Sequence, residues 1–322
     1  MAARHRRRDV NILDAAGLPA APDGGPPVVV GGALLDQVPW AAEVAPVALL
    51  GYRVAVRSQD AGLGRFVEAF VAAFPPADGA DIRLDVVAVG GRWVGYENGV
   101  RGVTAPTVAA MARTLVFHLN ALALAGPTDD VLVHAAVAAK GGRAVLLPGE
   151  SGAGKTTLVA ALALDGWEYL SDEVAPLGPG GAVVAPFPRP LAMEPGSWPL
   201  LPATAGRWPA DVPALVDDLR LVLPATLRSG GPVTPAVPAA VVFPEVVPGA
   251  PTTLEPLPRA EALARLVGST FNLRALGKPG FDRLAGCVAR SACFRLVLDG
   301  VAEAPSALSA VLDEPPMSDS SG

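Results

Sequence analysis

The chain has 322 residues, of which 51% are hydrophobic and only 17% charged, with a formal net charge of -6. Length and apolar content suffice for two buried cores, which excludes a disordered chain, and glycine shows no three-residue period, which excludes a collagen-like one. The negative balance supplies no basic footprint, so no nucleic-acid partner is expected.

Residues 1–28 read as a disordered leader. They start with a basic run but have no apolar segment behind it, so a secretory signal is not expected. An N-terminal α+β domain is expected over 29–127. The run 52–57 predicts a strand, and Phe66, Phe70 and Phe74 at four-residue spacing predict a helix over 63–74, stopped by Pro75 and Pro76. Strands over 82–89 and 92–96 are joined by Gly90-Gly91, a hairpin signal. Residues 106–125 predict the clearest helix, with Val108, Met111, Leu115, Leu119 and Leu122 on one apolar face. His118 borders that face and reads as a structural histidine. This stretch carries Arg113, His118 and Asn120, which argues against a membrane span. No membrane partner is expected, and a cytoplasmic location is. Gly126-Pro127 marks the boundary to a second domain over 128–313.

In the second domain, 131–139 reads as a strand, 140–143 as a turn and 144–147 as a second strand. A glycine-rich loop and a helix over 155–164 follow. Strands are expected at 168–170, 182–187, 219–223, 239–243 and 293–298, and helices at 260–267, 281–290 and 305–312. The tail 314–322 is expected to be disordered. Cys287 and Cys293 are too few for a disulfide framework and show no metal-ligand pattern, so reduced thiols are expected.

The chemistry-bearing motif is Gly149-Glu150-Ser151-Gly152-Ala153-Gly154-Lys155-Thr156, followed by Thr157. It fits the Walker A, or P-loop, pattern in which glycines turn successive N–H groups inward around a phosphate. The following helix adds its positive N-terminal end. Lys155 reaches the β and γ phosphates, and the Thr156 hydroxyl can ligate Mg²⁺. Asp172 and Glu173 end the next expected strand, 16 residues beyond Thr156. If that strand neighbours the one entering the loop, both carboxylates lie at the phosphate edge, able to hold Mg²⁺ or to accept a proton from an attacking hydroxyl. His134 precedes Gly149 by 15 residues, and a hairpin would return it to the level of the loop. A satisfied strand histidine is the alternative. Gly62-Leu63-Gly64 lacks the third glycine and acidic partner of a dinucleotide site.

The run from Val133-His134 through the loop to Tyr169-Leu-Ser-Asp172-Glu173-Val174, with Pro188-Arg189-Pro190-Leu191, resembles the catalytic domain of HPr kinase/phosphorylase, especially its stand-alone bacterial HPr-kinase-like relatives. The resemblance implies an α/β P-loop fold of the phosphoenolpyruvate-carboxykinase-like type and an ATP- and Mg²⁺-dependent transfer to a hydroxyl, such as a serine of a protein or peptide. It implies Asp172, Lys155 and His134 in catalysis, and Thr156, Asp172 and Glu173 at the metal. The family's second signature is missing from 190–198, and the first 127 residues do not look like the bifunctional enzyme. The sequence is compatible with an oligomer. The alternative functions are a nucleotide-binding regulator or slow ATPase without a phosphoacceptor, and, more weakly, a motor or transporter ATPase.

Overall fold

The computed structural model describes residues 29–150, 152–227 and 233–313, so the expected leader, the tail and Ser151 of the loop lie outside the described residues. The chain forms two compact units. One comprises residues through Pro127 together with Pro209–Asp217, and the other comprises Thr128–Trp208 and Asp218 onward. The fold is mixed α/β, with several mixed sheets.

The first unit begins with a short helix α1 (Gly32–Leu35). Strands β1 (Ala42–Leu49) and β2 (Tyr52–Ser58), helix α2 (Ala61–Val71), strands β3 (Ile82–Val89), β4 (Arg92–Glu97) and β5 (Val100–Ala105), and helix α3 (Val108–Ala125) follow. The five strands form one sheet in sequential order. Only β2 and β3 are parallel, because α2 is the one helix that carries the chain across between neighbouring strands. Asp60 caps α2 by accepting the Leu63 N–H at 2.7 Å. Met111, Leu115, Leu119 and Leu122 of α3 are buried as the period-3.6 pattern requires. By length and composition α3 is apolar enough to cross a membrane, and 44% of it is buried within the protein. The expected helix over 63–74 ends at Val71, with Phe74 buried in the turn beyond it. Strands β1 and β5 were not expected, because Pro46 in the first and the glycines flanking and within the second mask their periodicity.

The second unit contains β6 (Val131–Val133), β7 (Ala135–Lys140), β8 (Arg143–Pro148), α4 (Lys155–Leu164), β9 (Glu168–Ser171), β10 (Ala175–Leu177), β11 (Leu191–Met193), β12 (Arg220–Val222) and α5 (Pro224–Leu227). It continues with β13 (Val237–Val246), β14 (Thr253–Pro256), α6 (Arg259–Gly268), α7 (Leu273–Arg290), β15 (Ala292–Leu298) and α8 (Ala304–Asp313). Six strands form a sheet in the order β14-β15-β13-β8-β7-β9. The central trio β15, β13 and β8 is parallel, while β7 is antiparallel to both β8 and β9. Side chains alternate across this sheet. Val145 and Leu147 of β8 join a core with α4 and α8, whereas Ala144 and Leu146 join a second core with α6 and α7. Each Leu or Val so buried contributes about 1.5–3 kcal/mol.

Four expectations are corrected. The strand expected over 131–139 is broken at His134, so that β6 pairs with β10 outside the six-stranded sheet. The strand expected at 182–187 is reduced to single bridges at Val184, because the tight turn at Pro179–Gly181 and the prolines at 186 and 188 leave too few ladder donors. Strand β9 does not neighbour β8, since β7 lies between them. Two antiparallel steps nevertheless make β9 run with β8, so both strands end at the same edge. The helix expected over 281–290 starts earlier, at Leu273, and is kinked where Gly277 adopts φ 58° ahead of Pro279.

Candidate functional site

The break at His134 builds the site. Val137 pairs with Ser171 in the six-stranded sheet, and Val133 pairs with Ala175 beyond it, in a common register. Between these pairs the ladder is interrupted on both strands, at 134–136 and at 172–174. The Ser171 hydroxyl explains why one side stays open: it accepts the N–H groups of Glu173 at 3.1 Å and Val174 at 3.0 Å. On the other side, the His134 N–H donates to the Ser269 carbonyl at 2.6 Å, while the His134 carbonyl accepts the Gly149 N–H at 3.5 Å. The hairpin β7–β8 therefore returns His134 to the first residue of the glycine-rich loop. Asp172, Glu173, His134 and the loop meet at one sheet edge.

The loop leaves β8 after Pro148 and enters α4, with Gly152 at φ 86° and Gly154 at φ 79°. These left-handed angles turn the backbone ahead of the helix at no steric cost only for glycine. Lys155 is buried, and its ammonium donates to the carbonyls of Gly149 and Glu150, each at 2.8 Å, closing the loop into a ring. The Ala153 N–H donates to the Glu150 carbonyl at 3.2 Å within the loop, and Thr157 lies in the first turn of α4. The Thr157 hydroxyl lies 2.8 Å from that of Ser197, in a short helical turn at Pro195–Ser197. This strap is anchored by the Trp198 indole, which donates to the Met193 carbonyl at 2.9 Å and lies 4.9 Å beneath the Arg220 guanidinium.

Asp172 is enclosed. Its side chain has no solvent exposure. Arg189 holds it in a two-point grip, Nε to Oδ1 at 2.7 Å and Nη2 to Oδ2 at 3.1 Å. The Tyr169 hydroxyl stands 3.1 Å from Oδ1 and 3.0 Å from the Arg189 carbonyl. Thr156 donates its hydroxyl to Oδ2 at 3.1 Å. Glu173 is more open, with 29% side-chain exposure. One of its oxygens accepts from Arg189 Nη2 at 3.0 Å, and the other lies 3.9 Å from His134 Nε2.

These contacts set the charges. Burial, reinforced by the positive charges of Lys155 and Arg189, pushes the His134 imidazole down to about 4, so it is neutral near pH 7. Burial lowers the Lys155 ammonium against the pull of Glu173 and Asp172. Burial raises the Glu173 carboxyl, with Asp172 adding and Arg189 and Lys155 opposing. Burial and Asp172 hold the Tyr169 phenol well above its usual range. Burial disfavours the Arg189 cation, but Asp172 and Glu173 outweigh it and raise its value further.

The structure thus brings together Gly149, Glu150, Gly152, Ala153, Gly154, Lys155, Thr156, Thr157, Asp172, Glu173 and His134. Of the expected metal set, it joins Thr156 to Asp172, whereas Glu173 is engaged by Arg189 and faces His134. Among the described residues no cluster of three or more His, Cys, Asp or Glu side chains makes an all-protein metal site. A hydroxyl beside a carboxylate suits Mg²⁺, which takes its other ligands from phosphate oxygens and water. Arg189, Tyr169 and Ser197 were not expected from motif spacing. Arg189 and Tyr169 stand within the runs that carry the family resemblance, which assigned a role to neither. The chain matches no family model, and no curated protein matches it.

Proposed function

We propose that this chain is an ATP- and Mg²⁺-dependent phosphotransferase of P-loop type, carrying the γ-phosphoryl group to a hydroxyl of a protein or peptide in the cytoplasm. The observation that supports this most is the contact of Thr156 with Asp172 at the end of a strand–glycine loop–helix unit that also positions Lys155. The resemblance to HPr-kinase-like catalytic domains points the same way. Residues 149–157 would cradle the triphosphate with backbone N–H groups, and Lys155 would exchange its carbonyl partners for the β and γ oxygens. Thr156 would hold Mg²⁺ directly and Asp172 through water, and the ion would supply charge neutralisation at the phosphates. The acceptor oxygen forms the new bond to the γ phosphorus while the bond to the β–γ bridging oxygen breaks and ADP leaves. The hydroxyl proton passes to the carboxylate pair, of which Glu173 is the open member.

Transfer of label from [γ-³²P]ATP to peptides and proteins tests this. Lys155→Ala and Asp172→Asn are each expected to reduce labelling about 10²-fold or more. Undiminished labelling in both variants would refute it. A second reading, a nucleotide-binding regulator or slow ATPase, is favoured by one feature: both Asp172 oxygens are already engaged by Arg189, Tyr169 and Thr156. Release of free phosphate with no labelled acceptor would select it.

A further inference from the structure

Arg189 has a stiff backbone on both sides. Pro188 and Pro190 flank it, and a residue before proline is confined to extended angles. The Phe187 N–H donates to the Leu170 carbonyl of β9 at 2.9 Å, and β11 begins at Leu191, directly after Pro190. The guanidinium is thus carried between two strands and delivered to Asp172. Tyr169 is fixed as firmly. It is 4% exposed and packs in the core with α4, while its hydroxyl reaches the end of β9. Its one phenolic proton has two acceptors in reach, Asp172 Oδ1 and the Arg189 carbonyl. The charged acceptor is the stronger.

A carboxylate offers roughly four acceptor positions. In Asp172 four donors occupy them: Arg189 Nε and the Tyr169 hydroxyl at Oδ1, Arg189 Nη2 and the Thr156 hydroxyl at Oδ2. Asp172 can serve a further partner only if one donor leaves. Arg189 would have to break a two-point grip, and its Nη2 also donates to Glu173. Turning the Tyr169 proton to the Arg189 carbonyl would leave the phenol oxygen against Oδ1, where it blocks any other donor. Thr156 is the half-buried member, bonded to Asp172 once, at the start of α4. Oδ2 is therefore the oxygen that can open, and Thr156 is the group that opens it.

We propose that Arg189 and Tyr169 are positioning residues for the magnesium ion of the nucleotide: they immobilise Asp172 so that Oδ2 alone serves the ion, and Thr156 is the donor that yields. This deepens the phosphotransferase reading and rests on it. Arg189 supplies direction as well as charge, because its planar fork fits both carboxylate oxygens and a lysine ammonium does not. Outer partners of this kind orient a metal-serving group, and losing one costs about 10- to 100-fold in metal affinity.

The test follows ADP binding to the full chain as Mg²⁺ is raised, and again in EDTA, with urea unfolding in parallel. The variants are Arg189→Lys, which keeps the charge, and Tyr169→Phe, which removes one hydroxyl and keeps the ring. The Mg²⁺ concentration at half-saturation is expected to rise about tenfold or more in Arg189→Lys and about fivefold in Tyr169→Phe. ADP affinity in EDTA stays within about twofold, because the loop and Lys155 are untouched. Both residues act through Asp172, so adding Tyr169→Phe to Asp172→Asn is expected to raise the value no further. An ion pair that serves stability alone would lower the unfolding midpoint and leave Mg²⁺ half-saturation unchanged in the folded protein. That result overturns the proposal, and so does an equal loss of ADP affinity with and without metal, or an additive double variant. Wild-type ADP binding that Mg²⁺ does not strengthen also overturns it and leaves nucleotide binding standing. A wild-type chain that binds ADP under neither condition refutes the phosphotransferase reading itself, and the positioning roles fall with it.

Discussion

Arg189 and Asp172 form an ion pair in which neither partner sees much water, with 8% and 0% side-chain exposure. Removing one partner strands the other charge. Arg189→Met is therefore expected to destabilise the second unit by about 3–5 kcal/mol, whereas Arg189→Met with Asp172→Asn recovers a large part of that loss. Urea unfolding of the two variants measures the difference, and an additive double mutant would contradict it. His134 gives a pH dependence. Its folded-state value of about 4 lies below the ordinary 6.5, so as pH falls the unfolded chain takes up the proton first. Stability from this group is complete above about pH 6.5 and is lost as pH drops toward 4, by no more than about 3 kcal/mol. Lys155, Arg189, Asp172, Glu173 and Phe271 face the ring and add their own charges or burial to it. The informative measurement is thus the difference in pH slope between wild type and His134→Gln, with the variant flatter. Equal slopes would show that the imidazole is not held neutral.

Among the elements, α7 approaches its neighbour closely. A Cβ on Gly286 would run into the Gly180 carbonyl, and one on Gly181 would strike the Arg283 carbonyl and the Cys287 backbone. Glycines at these positions let the helix and the turn at Pro179–Gly181 approach backbone to backbone. In a free helix, alanine in place of glycine would add about 1 kcal/mol. Here Gly286→Ala is expected to cost about 1–3 kcal/mol instead, a reversal of sign that thermal unfolding would detect. The interrupted pairing of β6–β7 with β9–β10 follows the same logic. Residues 131–139 read as one apolar strand because their composition gives no reason to stop. The break arises from bonds to Ser269, far off in sequence, and from Ser171, whose hydroxyl occupies donors that a continued ladder would use.

For the molecule as a whole, ligand linkage offers a test that does not need the acceptor. If the loop binds Mg·ATP, nucleotide at about 100 times its dissociation constant should stabilise the chain by about 2.7 kcal/mol, and the unfolding midpoint should rise by a few degrees. Lys155→Ala should abolish the shift, and a shift retained in that variant would place nucleotide elsewhere. The division into units has its own lesson. A boundary near Gly126-Pro127 was legible from the helix end and the proline, but the return of Pro209–Asp217 to the first unit was not. That segment is rich in proline and lacks periodicity, so no local pattern marked its destination.

Local patterns alone determined much of the chain: the helix faces of α2 and α3, the span of α4, the β7–β8 hairpin around Gly141-Gly142, and the loop from Gly149 to Thr156 with its lysine. Each is encoded by residues within a turn or two of one another, where periodicity, capping and glycine angles act directly. Only the tertiary structure decided that β7 separates β8 from β9, that Arg189 locks Asp172, that Ser197 meets Thr157 and that Phe271 stands beside His134. These contacts join segments between 17 and about 140 residues apart, and their partners are chosen by sheet order and burial, which no short stretch of sequence contains.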